Sequence, residues 1–494
     1  MTQTVAIPLW LFVLILLFAV ITFASHFLFP SVRWFFRRRL ERAVARLNTR
    51  LERPIQPFKL ARRYDMIQRV IYDPEVARAV SEHARAQGIP ENVAFEEARR
   101  YAREIVPSFS AFTYFGFAIR AARFLSNALY RVRLGQMDEA ALRAIDPDAT
   151  VIFVMNHRSN MDYVLVTYLA AERSALSYAV GEWARVWPLS RLIRAMGAYF
   201  IRRRSRNDLY RRVLACYVRL ATRAGVTQAM FPEGGLSLTG ALMPPKLGLL
   251  KYIVDGAEPG GRDVVFVPVA LNYDQVLEDR NLIAAAQGQG RGFNVRIGLI
   301  AMRSLHQLWR RITGRYHRFG YAAVSFGRPV SLAALRAETG AQTDPTRPLA
   351  RRLMAEIGRI VPVLPVPLVS WLLLRDGAMD RAGIERAVSR VLRERPEAHV
   401  HLPRRNRDYA VEVGLRQLTR RGLVRLGADG RYHPQESARS LMEFYANSIR
   451  HLMPGGDLPA GSREAPGEEP GDGSGNGSGG RSGAADGAAG AGPV

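Results

Sequence analysis

A histidine and an aspartate five residues apart are the side chains of this sequence best suited to catalysis. They lie in the segment 156–162, which reads NHRSNMD and follows an apolar run at 151–155. If the segment folds back after a strand, the carboxylate of Asp162 can hold a proton on one ring nitrogen of His157 and leave the other nitrogen as a general base. The pair lacks the serine of a hydrolase triad, so the base would activate an external hydroxyl group or water. Ser159 and Asp162 also have the spacing of a helix capping box, which is a purely structural explanation for the aspartate.

Three further segments contain residues suited to an anionic ligand. The segment 197–204 reads GAYFIRRR and places guanidinium groups after a short apolar run, as a phosphate site requires. The segment 231–237 reads FPEGGLS and ends an apolar run in a glycine turn. The segment 267–279 reads VPVALNYDQVLED and closes another apolar run. Taken singly, each of these segments also fits an ordinary solvated surface or turn.

The elements that must position these segments are predicted from the hydrophobic pattern. Short continuous apolar runs at 151–155, 228–231 and 264–269 predict buried parallel strands. The amphipathic stretch 209–223 predicts a helix between two of them. This strand–helix–strand alternation indicates an α/β catalytic domain over residues 149–374, with a mostly parallel sheet flanked by helices.

Helical periodicity predicts helical regions on both sides of this domain. Residues 31–145 contain no convincing strand, and within them residues 107–133 form a basic, aromatic-rich amphipathic pattern. That pattern predicts a helix that packs on the catalytic domain, with a position on lipid as the alternative. The apolar stretch 360–374 contains three prolines and predicts a buried or membrane-surface segment. Residues 375–453 return to helix, with a hairpin predicted at 423–433.

The two ends of the chain have different characters. The segment 5–29 contains no Asp, Glu, Lys or Arg and, at about 1.5 Å per residue, is long enough to cross the hydrocarbon core of a bilayer. Arginines follow it closely, which predicts a single-pass cell-membrane anchor with the catalytic domain on the cytoplasmic side. A buried core helix is the alternative. Residues 455–494 are rich in glycine and predict a disordered tail.

The basic composition predicts an anionic partner. The 494 residues include 70 Lys+Arg and 44 Asp+Glu, a formal net charge of +26, so nucleic acid, membrane and phosphorylated substrates all remain open. The one cysteine, Cys216, excludes a disulfide framework or a zinc site of several cysteines, and its surroundings predict a helix core. The sequence has no P-loop, HExxH or GxSxG pattern, which removes the common nucleotide, zinc-protease and serine-hydrolase interpretations.

In their order along the chain, the four segments resemble the four sequence blocks of the glycerolipid acyltransferases, and the glycerol-3-phosphate acyltransferase branch in particular. NHRSNMD is similar to the His-x4-Asp block, and GAYFIRR is similar to the second block. FPEGG with the later PPK is similar to the third block, and VPVALNYDQVLE to the fourth. The late segment 444–449, which reads FYANSI, also resembles that branch.

The resemblance implies an O-acyltransferase of phospholipid biosynthesis at a membrane. A fatty acyl group would pass from a co-substrate, acyl-CoA or acyl carrier protein, to the 1-hydroxyl of glycerol-3-phosphate, with no cofactor and no metal. His157 would deprotonate that hydroxyl, and Asp162 would orient the ring of His157. The resemblance also implies a set of substrate-binding residues, which are Arg202, Arg203, Glu233, Gly234, Gly235, Ser237, Lys246 and Pro268.

Two leucines depart from the pattern of that branch. Leu236 and Leu238 stand where arginines commonly flank the serine of the third block. Because fewer guanidinium groups weaken recognition of a phosphate, lysophosphatidic acid or another lysolipid is an alternative acceptor. A second alternative is a non-catalytic membrane or nucleic-acid-binding protein, in which 383–433 would act as a winged helix. The acyltransferase interpretation itself predicts no nucleic-acid partner.

Overall fold

A computed structural model describes residues 8–19, 42, 44–169, 175–181, 189–202, 207–288, 318–340, 343–396, 400–401 and 406–455. Three predictions fall wholly or largely outside the described residues. These concern the second half of the anchor, the candidate site residue Arg203 and nearly all of the tail.

The N-terminal region is a set of amphipathic helices that pack against the catalytic domain. Its elements are α1 (Pro57–Leu60), α2 (Arg63–Ile71), α3 (Pro74–Gln87) and α4 (Glu91–Ile105), then a π-helical segment (Phe112–Ala118) that continues into α5 (Ile119–Leu129). Asp73 caps α3 by accepting a hydrogen bond from the backbone N–H of Glu75, and Gly88 ends that helix in the left-handed conformation. The helical prediction for this part of the chain is confirmed as far as α5.

The catalytic domain is built on a mixed sheet of eight strands. They are β1 (Arg131–Met137), β2 (Thr150–Met155), β3 (Ser177–Gly181), β4 (Tyr199–Ile201), β5 (Gln228–Met230), β6 (Val264–Tyr273), β7 (Tyr321–Phe326) and β8 (Val330–Ser331). The strand order is β1-β7-β6-β2-β5-β3-β4, with β8 beside β6. The five strands β6-β2-β5-β3-β4 are parallel to one another, whereas β7 and β8 run antiparallel to β6. The predicted strands at β2, β5 and β6 and the mostly parallel sheet are confirmed.

Helices flank this sheet. Those of the catalytic domain are α6 (Glu139–Arg143), α7 (Met161–Leu169), α8 (Leu189–Ala195), α9 (Asp208–Arg223), α10 (Leu247–Asp255), α11 (Asp279–Ala286), α12 (Leu332–Thr339) and α13 (Thr346–Arg359). The predicted helix at 209–223 is α9, and Cys216 lies fully buried in it. Among the described residues this thiol is free, and burial raises its pKa to about 12, as expected for a core residue.

One strand contradicts the helical prediction for 31–145. Residues Arg131–Met137 form β1 at the edge of the sheet, parallel to β7, with Arg131 opposite Tyr321 and Leu134 opposite Val324. The partner strand lies nearly two hundred residues further along the chain, so local periodicity carries no signal of this pairing. The predicted helix at 107–133 correspondingly ends at Leu129.

The C-terminal region packs against the catalytic domain. Its elements are α14 (Pro365–Asp376), α15 (Arg381–Glu394), α16 (Arg407–Arg420), the hairpin β9 (Val424–Leu426) with β10 (Tyr432–Pro434), and α17 (Arg439–Asn447). The predicted hairpin is confirmed. The apolar stretch 360–374 contributes to α14, which is buried between α16 and α17, so the interpretation as a buried segment is correct.

The described part of the predicted anchor is helical over residues 9–19. Its apolar side chains are exposed, with Leu9 at 83% and Phe18 at 72% of their full accessible area. Across the described stretches of the chain, no single helix combines the length and the apolar character needed to cross a membrane.

Gly240 is the glycine on which the packing of the C-terminal region depends. It has a φ of +84°, and a Cβ atom there would overlap the backbone carbonyl of Phe444 in α17. A side chain at this position would therefore be strained by its backbone conformation and would also push α17 away from the catalytic domain.

We expect Gly240→Ala to lower the free energy of unfolding by about 2–3 kcal/mol, because it adds both backbone strain and overlap. Gly248→Ala is the matched control, since a Cβ there meets nothing within 4 Å and the residue lies inside α10. That control should be neutral or stabilising by up to ~1 kcal/mol. Chemical denaturation of the two variants beside the parent protein measures the difference, and equal midpoints would contradict this packing.

Candidate active site

The central strand β2 delivers the candidate catalytic residues to one edge of the sheet. All six of its residues are buried, and β2 lies between β5 and β6. Beyond its end, the side chain of Asn156 pairs with the backbone of Leu271 in β6, donating at 3.0 Å and accepting at 2.8 Å. This pairing fixes the chain direction before the turn that leads into α7. The loop therefore lies at the carboxyl ends of parallel strands, where α/β sheets place their ligand sites.

His157 and Asp162 face each other across this turn. The Nδ1 of His157 lies 2.9 Å from Oδ2 of Asp162, and the two side chains are 1% and 0% exposed. A proton shared on this side leaves Nε2 as the ring nitrogen that could accept a proton from a substrate. The structure thus brings together the two residues that the sequence analysis singled out.

Four donors surround the Asp162 carboxylate. Besides the imidazole of His157, Oδ2 accepts hydrogen bonds from the backbone N–H groups of Arg158 at 2.7 Å and Ser159 at 3.0 Å. Oδ1 accepts from the Tyr273 hydroxyl at 2.6 Å. The bond from Ser159 is half of a capping box, so Asp162 caps α7 and orients His157 at the same time. The two explanations for the aspartate are compatible.

The hydroxyl of Tyr273 is a dependable donor to this carboxylate. Burial, followed by the negative charge of Asp162, raises the pKa of Tyr273 well above its ordinary value. The phenol therefore stays protonated throughout the physiological range. Tyr273 lies within the fourth sequence block, but the sequence alone assigns it no role. Its position opposite Asp162 follows only from the pairing of β6 with β2.

Aromatic rings fix the plane of the imidazole. The ring of His157 stacks on Phe231 with centroids 4.0 Å apart and planes 24° apart. The ring of Tyr163 meets His157 edge-on at 5.5 Å. These contacts restrict rotation of the imidazole about its side-chain bonds and so hold Nδ1 toward the aspartate.

The turn after β5 forms hydrogen bonds with the backbone of the same loop, at His157. Oε1 of Glu233 accepts a hydrogen bond from the N–H of His157 at 3.3 Å, and the N–H of Ser237 donates to the carbonyl of His157 at 3.0 Å. Gly234 has a φ of +68°, and the aliphatic part of the Lys246 side chain occupies the place where a Cβ would be. Half-buried Gly235 continues this turn. Five of the predicted substrate-binding positions therefore lie in or against the turn that contacts the His157 backbone.

Glu233 provides a pH-dependent contribution to stability. Burial raises the pKa of its carboxyl to about 8 from an ordinary value of 4.5. Because the folded state then binds this proton more tightly than the unfolded state, the contribution is favourable below pH 4.5 and is lost as the pH rises through 8.

We expect Glu233→Gln to remove this loss, so the unfolding free energy of the variant relative to the parent should increase between pH 5 and 8, by at most about 1.4 kcal/mol per pH unit. Denaturant titrations across that range measure the effect. The exposed Glu82→Gln serves as the control and should follow the parent. A difference between Glu233→Gln and the parent that does not vary with pH would contradict the assignment.

Two other predicted binding residues lie away from His157. Pro268 is paired with Val154 inside the sheet, and its carbonyl accepts from the N–H of Gly327. Arg202 follows β4, three strands from β2, which places it roughly 14 Å to the side at ~4.8 Å per strand. Its guanidinium forms a bidentate pair with Glu104 at 2.9 and 2.7 Å. A phosphate at Arg202 would have to compete with this carboxylate.

A buried glutamate holds the far side of the catalytic loop. Oε2 of Glu278 accepts from the Ser159 hydroxyl at 2.8 Å, and Oε1 accepts from the side-chain amide of Asn160 at 3.0 Å and from its backbone N–H at 3.3 Å. Glu278 is the last residue of the fourth block, but the sequence alone assigns it no role. Its signal was its place just beyond β6, a strand adjacent to β2.

The C-terminal helix α17 anchors the turn that carries this glutamate. The Tyr445 hydroxyl donates to Asp279 at 2.5 Å and accepts from the N–H of Val276 at 3.1 Å. Arg421 completes the cluster by donating to both Asp279 and Tyr445. The turn 276–279 is thus held on one side by the C-terminal region and holds the catalytic loop on the other.

We expect Tyr445→Phe to cost about 1–3 kcal/mol of unfolding free energy, because it leaves buried polar groups of the turn without their partner. Hydrogen exchange should also accelerate in the catalytic loop, at 156–162, because the turn supports that loop through Glu278. Mass spectrometry of the corresponding peptide measures this, with exposed Tyr64→Phe as the control. Lower stability with unchanged exchange at 156–162 would show that the two regions are not coupled.

Within the stretches that the structure describes, no group of three or more His, Cys, Asp and Glu side chains could hold a metal ion. The polar groups of the described site are a histidine, carboxylates, a tyrosine and backbone groups.

Two family profiles match parts of this chain. The acyltransferase family profile matches residues 138–272, which include the His157–Asp162 loop. The profile of the glycerol-3-phosphate acyltransferase C-terminal region matches residues 304–454. The chain is therefore similar to acyltransferases over the first of these stretches and to glycerol-3-phosphate acyltransferases over the second.

Curated relatives named glycerol-3-phosphate acyltransferase are similar to most of this chain. The protein of Pseudomonas entomophila is 28% identical over 454 residues, covering 84% of this chain and 52% of its own length. That of Shewanella woodyi is 28% identical over 441 residues, covering 83% and 53%. The chain thus spans about half the length of these curated relatives. The crystal structure of the 1-acyl-sn-glycerophosphate acyltransferase PlsC from Thermotoga maritima is 18% identical and aligns with a TM-score of 0.29, covering 49% of this chain and 75% of that one.

Proposed function

We propose that this protein transfers a fatty acyl group from acyl-CoA or acyl carrier protein to the 1-hydroxyl of glycerol-3-phosphate, a step of phospholipid biosynthesis. The observation that carries the proposal is the buried His157–Asp162 pair at the carboxyl end of β2, within the part of the chain that matches the acyltransferase family. The names of the relatives support the choice of acceptor.

The proposed reaction uses the acceptor as the nucleophile. Nε2 of His157 takes the proton of the hydroxyl while its oxygen forms a bond to the thioester carbonyl carbon. The carbon–sulfur bond then breaks, and the departing thiolate takes the proton back from the imidazolium. Asp162 keeps the ring in the required tautomer and stabilises its charged form. Both products form without an acyl-enzyme intermediate, and no cofactor is required.

Recognition of the acceptor phosphate draws on few of the predicted cations, because Leu236 and Leu238 add none to the third block and Arg202 is paired with Glu104. Lys246 is exposed beside Gly234 on the turn after β5, and we propose it as a phosphate contact together with Arg203. The leucines also favour a second candidate function, acylation of lysophosphatidic acid or another lysolipid whose acceptor site is more apolar.

One arginine of the predicted winged helix is engaged inside the protein. Arg421 is only 12% exposed as a side chain and is paired with Asp279 inside the protein. Because this guanidinium is engaged in positioning the turn 276–279, it is unavailable to a nucleic-acid phosphate.

We further propose that the segment 5–29 anchors the protein in the cell membrane with its catalytic domain on the cytoplasmic side. Its described part is a helix of exposed apolar side chains, and arginines follow the segment. A membrane location would place the enzyme beside its lipid product and the lipids derived from it.

The acceptor is tested with the full chain in vesicles, supplied with acyl-CoA or acyl carrier protein and labelled glycerol-3-phosphate. We expect labelled lysophosphatidic acid. Acylation of lysophosphatidic acid alone would favour the second candidate, and transfer to no acceptor together with salt-sensitive DNA binding would contradict both.

We expect His157→Ala to lower kcat by about 10²- to 10⁴-fold with the fold intact, because it removes the general base. His433→Ala is the matched control, since His433 forms a similar contact with Asp429 at 3.0 Å on the exposed hairpin. That control should retain parental activity. Substantial turnover by His157→Ala, checked by circular dichroism for folding, would refute the assignment of the base.

A further inference from the structure

One side of the helix formed by the π-helical segment and α5 packs against the catalytic domain. Tyr114 is fully buried, and its hydroxyl accepts a hydrogen bond from the N–H of Leu176 at 3.0 Å, just before β3. Further along, Ala122 and Ser126 are buried, and α5 packs against α7. The prediction that this helix packs on the catalytic domain is therefore correct for this side.

The other side of the same helix presents exposed phenyl rings. Phe112 is 80% exposed, Phe117 56% and Phe124 53%. A π-helix closes its hydrogen bonds between residues five apart, so Phe112 and Phe117 lie on nearly the same side. Exposed Arg120 and Arg123 accompany them. We call these five residues the aromatic face.

We propose that the aromatic face docks on an anionic lipid leaflet, with the phenyl rings inserted among the acyl chains and the two arginines at the headgroups. Large exposed apolar groups mark contact surfaces, and rings interleaved with arginine are typical of helices that lie in a membrane interface. The chain has a net charge of +26, which complements a leaflet of anionic lipids. The proposal extends the membrane location proposed above and is independent of the acyl-transfer activity.

Docking by this helix would set the position of the catalytic loop relative to the membrane. The inner side of α5 contacts α7, the helix that begins at Met161 directly after the loop. At the end of α5, Tyr130 donates to the carbonyl of Gln275 at 2.8 Å, and its ring lies 5.3 Å from that of Tyr273. Tyr273 in turn donates to Asp162. The helix is therefore joined to the site at two points, so the site would keep a fixed orientation to the bilayer.

Site-specific fluorescence tests the docking directly. Cys216 is fully buried, so a cysteine introduced by Phe117→Cys can be labelled selectively with an environment-sensitive probe. The full chain is placed in vesicles of phosphatidylglycerol and phosphatidylcholine that contain spin-labelled lipids. We expect blue-shifted emission that the spin-labelled lipids quench. Tyr72→Cys, at a side chain that is 68% exposed, is the matched control and should remain unquenched.

The probe distinguishes lipid from other occupants of the face. Emission at position 117 that matches the control at position 72 would overturn the proposal, because a membrane anchor alone would not bury this face. Blue-shifted emission without quenching would also overturn it, since it would indicate contact with protein. In Arg120→Gln, quenching should fall in anionic vesicles and stay unchanged in vesicles of phosphatidylcholine alone. Equal quenching of parent and Arg120→Gln in anionic vesicles would refute the role of the arginine.

Discussion

The burial of the Asp162 carboxylate is the constraint on which the site depends. A charge removed from water is tolerated only where donors surround it, and here four donors come from two parts of the chain, the catalytic loop and β6. The loop supplies two N–H groups, His157 supplies the ring and β6 supplies Tyr273. Because each donor stabilises the same carboxylate, the turn, the strand pairing and the orientation of the imidazole are fixed together.

Support for this carboxylate extends to the far end of the sequence. Glu278 holds the loop from the side of β6, and Tyr445 with Arg421 holds the turn that carries Glu278. The C-terminal region is consequently part of the site's architecture through the turn 276–279. The same region carries its own family profile, separate from that of the acyltransferase domain.

Sequence reasoning succeeded where the determining contacts are local. The strands β2, β5 and β6 are continuous apolar runs, and the His157–Asp162 pair is close in sequence, so both could be predicted. Pairings between distant parts of the chain could not. The strand β1 depends on β7, and Arg202 is paired with Glu104, which lies on another element. The local pattern predicts whether a segment is a helix or a strand. The distant residue that it contacts is determined by the topology of the fold.

The tautomer of His157 tests the central claim most directly. Nitrogen-15 NMR of the full chain with labelled histidine, assigned by comparison with His157→Ala, reports which ring nitrogen carries the proton. With Asp162 accepting from the ring, Nδ1 should be protonated and Nε2 should be unprotonated at neutral pH, and Asp162→Asn should abolish that preference. Protonation of Nε2 in the parent protein at neutral pH would contradict the account, because the nitrogen proposed as the base would already be occupied.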